Sequence, residues 1–356
     1  MSGSIWDGVV GQPDARRLLR AAAAHPVHAY LLVGPPGSTK TEAARAFAAA
    51  LVSSSGDDPD DRDARLALAG AHPDVREVQR AGAAISADQA REIVRLASLA
   101  PVEGARKVMI LHEFHLLRPE GAALLLKTLE EPPASTVFVV LADFVPADLV
   151  TISSRCVRVP FRALSDEVIA AQLAAGGLTS DRVAEVVAAA GGDLDRARLL
   201  AGDEALAARR AAFRDAPRRL DGSGRVVMEL VDELLGMLEA AAAPLTARHD
   251  EEVVALDARA AQFGERGSGR KALEERHTRE LRRHRTDELR AGLTVLAGSY
   301  RDALVANPGH RPDELAGAVH RVIKALEGFE FNPNEKLLMQ SLLWDLPSLA
   351  PRRPAR

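Results

Sequence analysis

Gly34-Pro-Pro-Gly-Ser-Thr-Lys40-Thr41 gathers two glycines, a lysine and a hydroxyl into one short run. Such a run can curl its backbone N–H groups around phosphate oxygens, neutralise them with the ammonium and offer the hydroxyl to Mg²⁺. Gly34 and Gly37 supply the backbone freedom, and Lys40 and Thr41 stand where the last two roles require them. One position departs from the pattern. The residue before the lysine should be glycine, and here it is Thr39, whose β-branched side chain resists open backbone conformations. A second group, Val108-Met-Ile-Leu-His-Glu113, ends an apolar run on His112 and Glu113. Phosphate-hydrolysing sites place an Asp-Glu pair there, one acid for the metal and one for the attacking water. Imidazole is a poor ligand for a hard, oxygen-preferring cation. Glu113 therefore reads as an inactive remnant of a catalytic acid, His112 as the cap of a strand end, and no metal site is expected.

The elements that would carry these groups follow from periodicity. Tyr30–Val33, Lys107–Leu111 and Thr136–Leu141 read as buried strands, and Thr41–Val52 and Gly121–Glu130 as helices, the latter stopped by Pro132-Pro133. Ser86-Ala-Asp-Gln89 has the spacing of a capping box before a further helix bearing Ile93, Leu96 and Ala97 on one face. Ser53–Gly70 reads as a polar surface loop that includes a short helix. Strands alternating with helices predict a parallel sheet covered on both faces. Beyond Ala163 the strand signals stop, and short helices separated by Gly176-Gly177 and Gly191-Gly192 give way to long ones. The expected division is an α/β domain over 1–162, a small helical domain over 163–217, a second helical domain over 218–350 and a tail over 351–356.

Composition narrows the class. The chain has 356 residues, 47% hydrophobic and 27% charged, as in globular proteins rather than disordered ones. A net charge of −4 excludes a polycation that coats DNA. The single cysteine, Cys156, excludes an internal disulfide framework and a four-thiolate metal site. No apolar run reaches the ~18 residues of a membrane span, and the N-terminal segment has no signal-peptide pattern, so no membrane partner and a cytoplasmic location are expected. Between Arg266 and Arg290, nine basic residues stand against five acids. Their intermixing reads as a solvated helix with ion pairs along it rather than a nucleic-acid stripe.

Two long motifs add a resemblance. Gly121-Ala-Ala-Leu-Leu-Leu-Lys-Thr-Leu-Glu-Glu-Pro-Pro133, followed by Thr151-Ile-Ser-Ser-Arg-Cys156, resembles the signature of bacterial DNA polymerase III clamp-loader AAA+ subunits. Trp6-Asp-Gly-Val-Val-Gly-Gln12 is similar to the family's adenine-side segment, and Ala71-His-Pro-Asp74 to the stretch that follows its zinc insertion. The helical C-terminal region resembles the delta-prime type of actinobacteria, and the likeness spans essentially the whole chain. It implies a RecA-like AAA+ P-loop module, a helical lid and a helical collar that oligomerises with gamma/tau and delta subunits. It also implies work on the sliding clamp and primer-template DNA through that complex, with Arg155 as an arginine finger acting on a neighbour's ATP site. A guanidinium brought to a γ-phosphate stabilises the charge of the transition state.

Departures from the family pattern point to the type of subunit. The sensor position after the third strand falls at Ala142 or Asp143, neither the usual Thr, Ser or Asn. In the lid, Asp195 stands where the sensor arginine aligns, and Arg196 is one place off, about 100° around the helix. The zinc insertion is replaced by the cysteine-free Ser53–Asp63, so no zinc is expected. These losses beside an intact Ser-Arg-Cys predict a largely non-hydrolysing delta-prime-type subunit. ATP or ADP at Gly34, Gly37, Thr39, Lys40 and Thr41 stays open, since Lys40 and Thr41 persist. The alternatives are an ATP-hydrolysing motor subunit of the gamma/tau kind and a stand-alone nucleic-acid-binding protein.

Overall fold

A computed structural model describes residues 3–80, 84–263, 269–306, 311–331 and 333–350. The chain forms two compact units, Met1–Arg198 and Leu199–Arg356. The expected tail over 351–356 and the start of the basic stretch at Arg266 lie outside the described residues.

The first unit runs α1 (Pro13–Ala24), β1 (Ala29–Val33), α2 (Lys40–Val52), α3 (Arg62–Leu68), β2 (Val75–Val78), α4 (Ala87–Ser98), β3 (Lys107–Leu111), α5 (Pro119–Glu130), β4 (Thr136–Ala142), α6 (Val150–Ser153), β5 (Val157–Pro160), α7 (Asp166–Ala175), α8 (Ser180–Ala190) and the start of α9 (Leu194–Ala201). The five strands pair in parallel in the order β2-β3-β4-β1-β5. β1, β3 and β4 are buried along their whole length, which is why each reads as an unbroken apolar run. Alternate residues feed two cores. Tyr30 and Leu32 pack with Phe47 and Ala43 of α2 on one face, while Leu31 and Val33 pack with Ile93 of α4 and Leu125 of α5 on the other. Tyr30 meets Phe47 edge to face with ring centroids 4.7 Å apart.

The sequence pattern missed β2 and β5, and also α1. Both strands are four-residue edge strands whose residues are mostly not fully buried, so neither shows a continuous apolar run. The acidic segment before β2 has local structural work. Asp61 caps α3 by accepting from the N–H groups of Asp63 and Ala64, each at 3.0 Å, and Asp57 accepts the Trp6 indole N–H at 3.0 Å. In the His-Pro-Asp stretch, the fully buried Asp74 carboxylate gathers the N–H groups of Val102, Glu103 and Gly104. Those hydrogen bonds outweigh burial and hold its carboxyl below the usual range.

The second unit is helical: the remainder of α9, then α10 (Leu206–Arg219), α11 (Gly224–Ala240), α12 (Ala243–Phe263), α13 (Arg270–Ala306), α14 (Pro312–Glu327) and α15 (Glu335–Asp345). In α13, Leu289, Leu293, Leu296 and Tyr300 fall on one helical stripe and join Phe213, Leu230, Leu234, Val322 and Met339 in a single core. The N-terminal half of α13 instead faces α12 through charge. Stacked His249 and His277 rings, 3.8 Å apart, pair with Glu280 at 2.9 Å and Glu252 at 3.0 Å. Arg270 bonds Asp257 and Glu274, Arg276 bonds Glu252, and Arg285 bonds Glu335. Much of the basic stretch is thus committed to ion pairs within its own unit. Among the described residues, no helix is long and apolar enough to cross a membrane.

One buried charge group stands out in this unit. Arg209 of α10 donates to Glu288 of α13 at 2.9 Å and to Asp203 at 2.5 Å, and all three side chains are buried. Removing the guanidinium takes the shared cation away from two buried carboxylates. Arg209→Ala is expected to lower stability by about 3–5 kcal/mol in chemical denaturation. A loss below about 1 kcal/mol would show that the two carboxylates do not depend on this guanidinium.

Candidate functional site

The parallel register builds the site. Val33 of β1 lies opposite Ala142 of β4, so the residues after these strands emerge side by side, and the Gly34 N–H donates to the Ala142 carbonyl at 3.1 Å. The glycine-rich loop therefore leaves the C-terminal edge of the sheet beside Asp143 and enters α2 at Lys40. A Cβ on Gly34 would lie 2.4 Å from the Phe161 carbonyl oxygen, which is why this position carries none. Gly37 has φ +63°, and a Cβ there would fall 1.9 Å from Asp193 Oδ1.

Thr39 adopts the left-handed conformation that its glycine-like position demands, with φ 61° and ψ 26°. The side chain that makes this costly also helps hold it. Buried Thr39 Oγ1 donates to the Val10 carbonyl at 3.2 Å. Gln12, just before α1, adds a second latch: its buried carboxamide donates to Ser38 O at 3.2 Å and to Arg162 O at 2.7 Å. The segment ending at Gln12 is thereby pinned to the loop and to the strand-end segment after β5. The sequence marked this segment only by resemblance, since a lone glutamine carries no periodic signal.

Lys40 does not project into open space. Its ammonium is buried and donates to the carbonyls of Gly34 and Pro35, the latter at 2.7 Å, and to Asp143 Oδ1 at 3.0 Å. Asp143 in turn donates its backbone N–H to His115 Nδ1 at 3.1 Å. Thr41 follows Lys40 in the first turn of α2.

The end of β3 is also tied inward. His112 Nε2 lies 3.0 Å from Glu77 Oε2 on β2, and Glu77 accepts from Arg45 of α2 at 2.6 and 3.1 Å. Burial works against the charged form of Glu77, but the hydrogen bonds from His112 and Arg45 outweigh it and hold its carboxyl at about 2. Glu113 adopts φ 50° and accepts from Arg80 Nε at 2.8 Å. A Mg²⁺–nucleotide does not fit these groups as they stand. The lysine that would meet its phosphates is bound to a carboxylate, and the strand end that would hold its metal offers an imidazole turned to Glu77.

Asp195 and Arg196 of α9 are turned elsewhere as well. Asp195 is exposed, 3.5 Å from Arg198, and Arg196 Nε donates to the Ala189 carbonyl at 3.1 Å. Among the described residues, Asp63, His72 and Glu103 converge as a set with metal-ligand chemistry. Arg62 already bridges its two carboxylates, at 2.8 Å to each. His72 Nδ1 accepts the Asp74 N–H at 3.0 Å, so the neutral ring carries its proton, not a lone pair, on Nε2 facing the set.

Arg155 lies apart from the loop. It follows α6 and precedes β5, whose Val157 pairs with Tyr30 near the start of β1, so it stands at the N-terminal edge of the sheet. Its guanidinium is partly exposed, donating to Glu130 at the end of α5 and to the Thr151 carbonyl at 2.7 Å. Next to it, Cys156 packs against the α4–α5 core, and burial pushes its thiol up to about 11. That favours the packing role over redox chemistry.

Residues 11–165 match the family described as DNA polymerase III, delta subunit. In that stretch, under half of its length, the chain is similar to clamp-loader AAA+ subunits. Over 244 residues it is 32% identical to DNA polymerase III subunit gamma/tau of Mycobacterium tuberculosis, covering 65% of this chain and 42% of that protein. Over 137 residues it is 36% identical to DNA polymerase III subunit delta' of Pseudomonas aeruginosa, covering 37% of this chain and 42% of that one. The chain thus spans under half the length of these curated relatives. A gamma-subunit-related protein of Thermotoga maritima superposes over 93% of this chain and 97% of its own, with a TM-score of 0.44 and 16% identity.

Glu77 gives the site a pH signature. Its folded pKa of about 2, against 4.5 for the free side chain, means its charge stabilises the fold fully above about pH 4.5 and loses that contribution as pH falls towards 2. At neutral pH, Glu77→Gln should cost roughly 3 kcal/mol, the size of that shift. Denaturant titrations from pH 7 to pH 3 should show the gap between wild type and variant narrowing in the acid. A gap that stays constant would show that the Arg45–Glu77–His112 group is not the source.

Proposed function

We propose that this chain is a delta-prime-type subunit of the DNA polymerase III clamp loader, a largely non-hydrolysing member that donates Arg155 to the ATP site of a neighbouring subunit. The observation that carries the reading is the position of Arg155 across the sheet from the glycine-rich loop. A five-residue parallel strand spans about 16 Å. Arg155 therefore cannot serve the loop of its own chain, and a finger at this edge acts only on another molecule. Its neighbours suit that role. Thr151 O and Glu130 hold the guanidinium at the surface without burying it, so it can exchange Glu130 for a phosphate.

The loss of own turnover is supported by the ends of β3 and β1. A hydrolytic site needs a carboxylate on Mg²⁺ and a glutamate on the attacking water. Here His112 is paired with Glu77, Glu113 with Arg80 and Lys40 with Asp143. In this reading, residues 163–217 form the lid and 218–350 the collar that joins the chain to gamma/tau and delta subunits. The sliding clamp and primer-template DNA are reached through the assembled complex.

The purified chain is expected to hydrolyse ATP no faster than a Lys40→Met control. Arg155→Ala, reconstituted with partner subunits, should lower the DNA-stimulated ATPase rate of the complex at least ~10-fold while the complex still elutes intact in size-exclusion chromatography. Full ATPase in that complex would remove the finger assignment. Robust hydrolysis by the chain alone would favour the motor reading.

A further inference from the structure

We propose that Asp143 is the residue that keeps the glycine-rich loop closed to phosphate, so that the loop is a latent polyphosphate site rather than a dismantled one. The inference rests on the reading of this chain as a non-hydrolysing subunit and names the contact responsible.

The loop keeps the shape that binds anions. Gly37 and Thr39 both sit at positive φ, at 63° and 61°, and α2 begins directly behind them with its first N–H groups directed to the loop. The charge at its centre is what has been redirected. An ammonium has three protons to donate, and Lys40 points them at Gly34 O, Pro35 O and Asp143 Oδ1. Phosphate arriving at the loop must strip Lys40 from its carboxylate and then stay beside that negative charge.

Asp143 is held for this contact. It directly follows β4, the strand paired with β1, so the register that builds the loop also delivers the carboxylate. Its backbone N–H is fixed on His115 Nδ1, and its second oxygen lies 3.7 Å from His115 Nε2. Burial holds the His115 imidazole below its ordinary value, so at neutral pH the ring is uncharged and leaves the Asp143 charge to Lys40. A neutral Thr, Ser or Asn at this position would leave Lys40 without that ionic partner.

The test is equilibrium binding by the full-length chain, read by calorimetry with Mg²⁺–ATP and, in parallel, with inorganic tripolyphosphate. Wild type, Asp143→Ala, the near-isosteric Asp143→Asn and the double variant Asp143→Asn/Lys40→Met are compared after their thermal transitions are checked. Both single variants are expected to bind ATP and tripolyphosphate at least ~10-fold more tightly than wild type, with the gain erased in the double variant. Asp143→Asn keeps the shape of the side chain, so it decides the matter if Asp143→Ala fails to fold. A folded Asp143→Asn that binds no more tightly than wild type overturns the proposal, as does wild-type binding already equal to that of the variants. Either result leaves the non-hydrolysing reading intact. ATP turnover by wild type alone would overturn that reading instead.

Discussion

The parallel pairing of β1 with β4 on one side and β5 on the other decides where each candidate group can act. In a parallel sheet all C-terminal strand ends lie on one edge, where crossover loops meet helix N-termini and ligands collect. The glycine-rich loop, His112, Glu113 and Asp143 stand on that edge because each follows a strand. Arg155 stands on the other because it precedes one. A single topological fact thus separates what the chain can do for itself from what it is proposed to do for a neighbour.

On the loop edge, charges that would handle metal and phosphate are satisfied internally. Arg45, Glu77 and His112 form one group, Arg80 and Glu113 another, and Lys40 and Asp143 a third. Partly buried ion pairs resist single losses, since removing one partner strands the other in a medium that solvates it poorly. Losing one partner of a pair is therefore costly, and on the proposed reading the pairs keep these groups from metal and phosphate. The same strategy recurs in the helical unit, where Arg209, Asp203 and Glu288 neutralise one another inside the packing.

The legible parts of the fold were those with strong local signals. β1, β3 and β4 are fully buried runs, the Ser86 side chain does accept the Gln89 N–H, at 3.3 Å, and Pro132-Pro133 follows the end of α5. Edge strands β2 and β5 were illegible because partial exposure mixes polar residues into them. In the site, the oddity of Thr39 and of His112 was visible as residue type against position. What each side chain does instead was not, since Val10 and Glu77 are distant along the chain and become neighbours only through packing.

The sequence by itself determined the alternating α/β then helical plan, the glycine-rich loop with its Lys and Thr, the lost acid before Glu113 and the Ser-Arg-Cys motif. These are statements about residue type and spacing, which local periodicity and motif chemistry carry. Only the tertiary structure decided that Lys40 bonds Asp143 across the β1–β4 pair, that Gln12 latches the loop, and that Arg155 lies on the edge opposite it. The reason is that a salt bridge or a sheet edge depends on strand order and register. Those are set by which apolar faces bury together, not by any one segment alone.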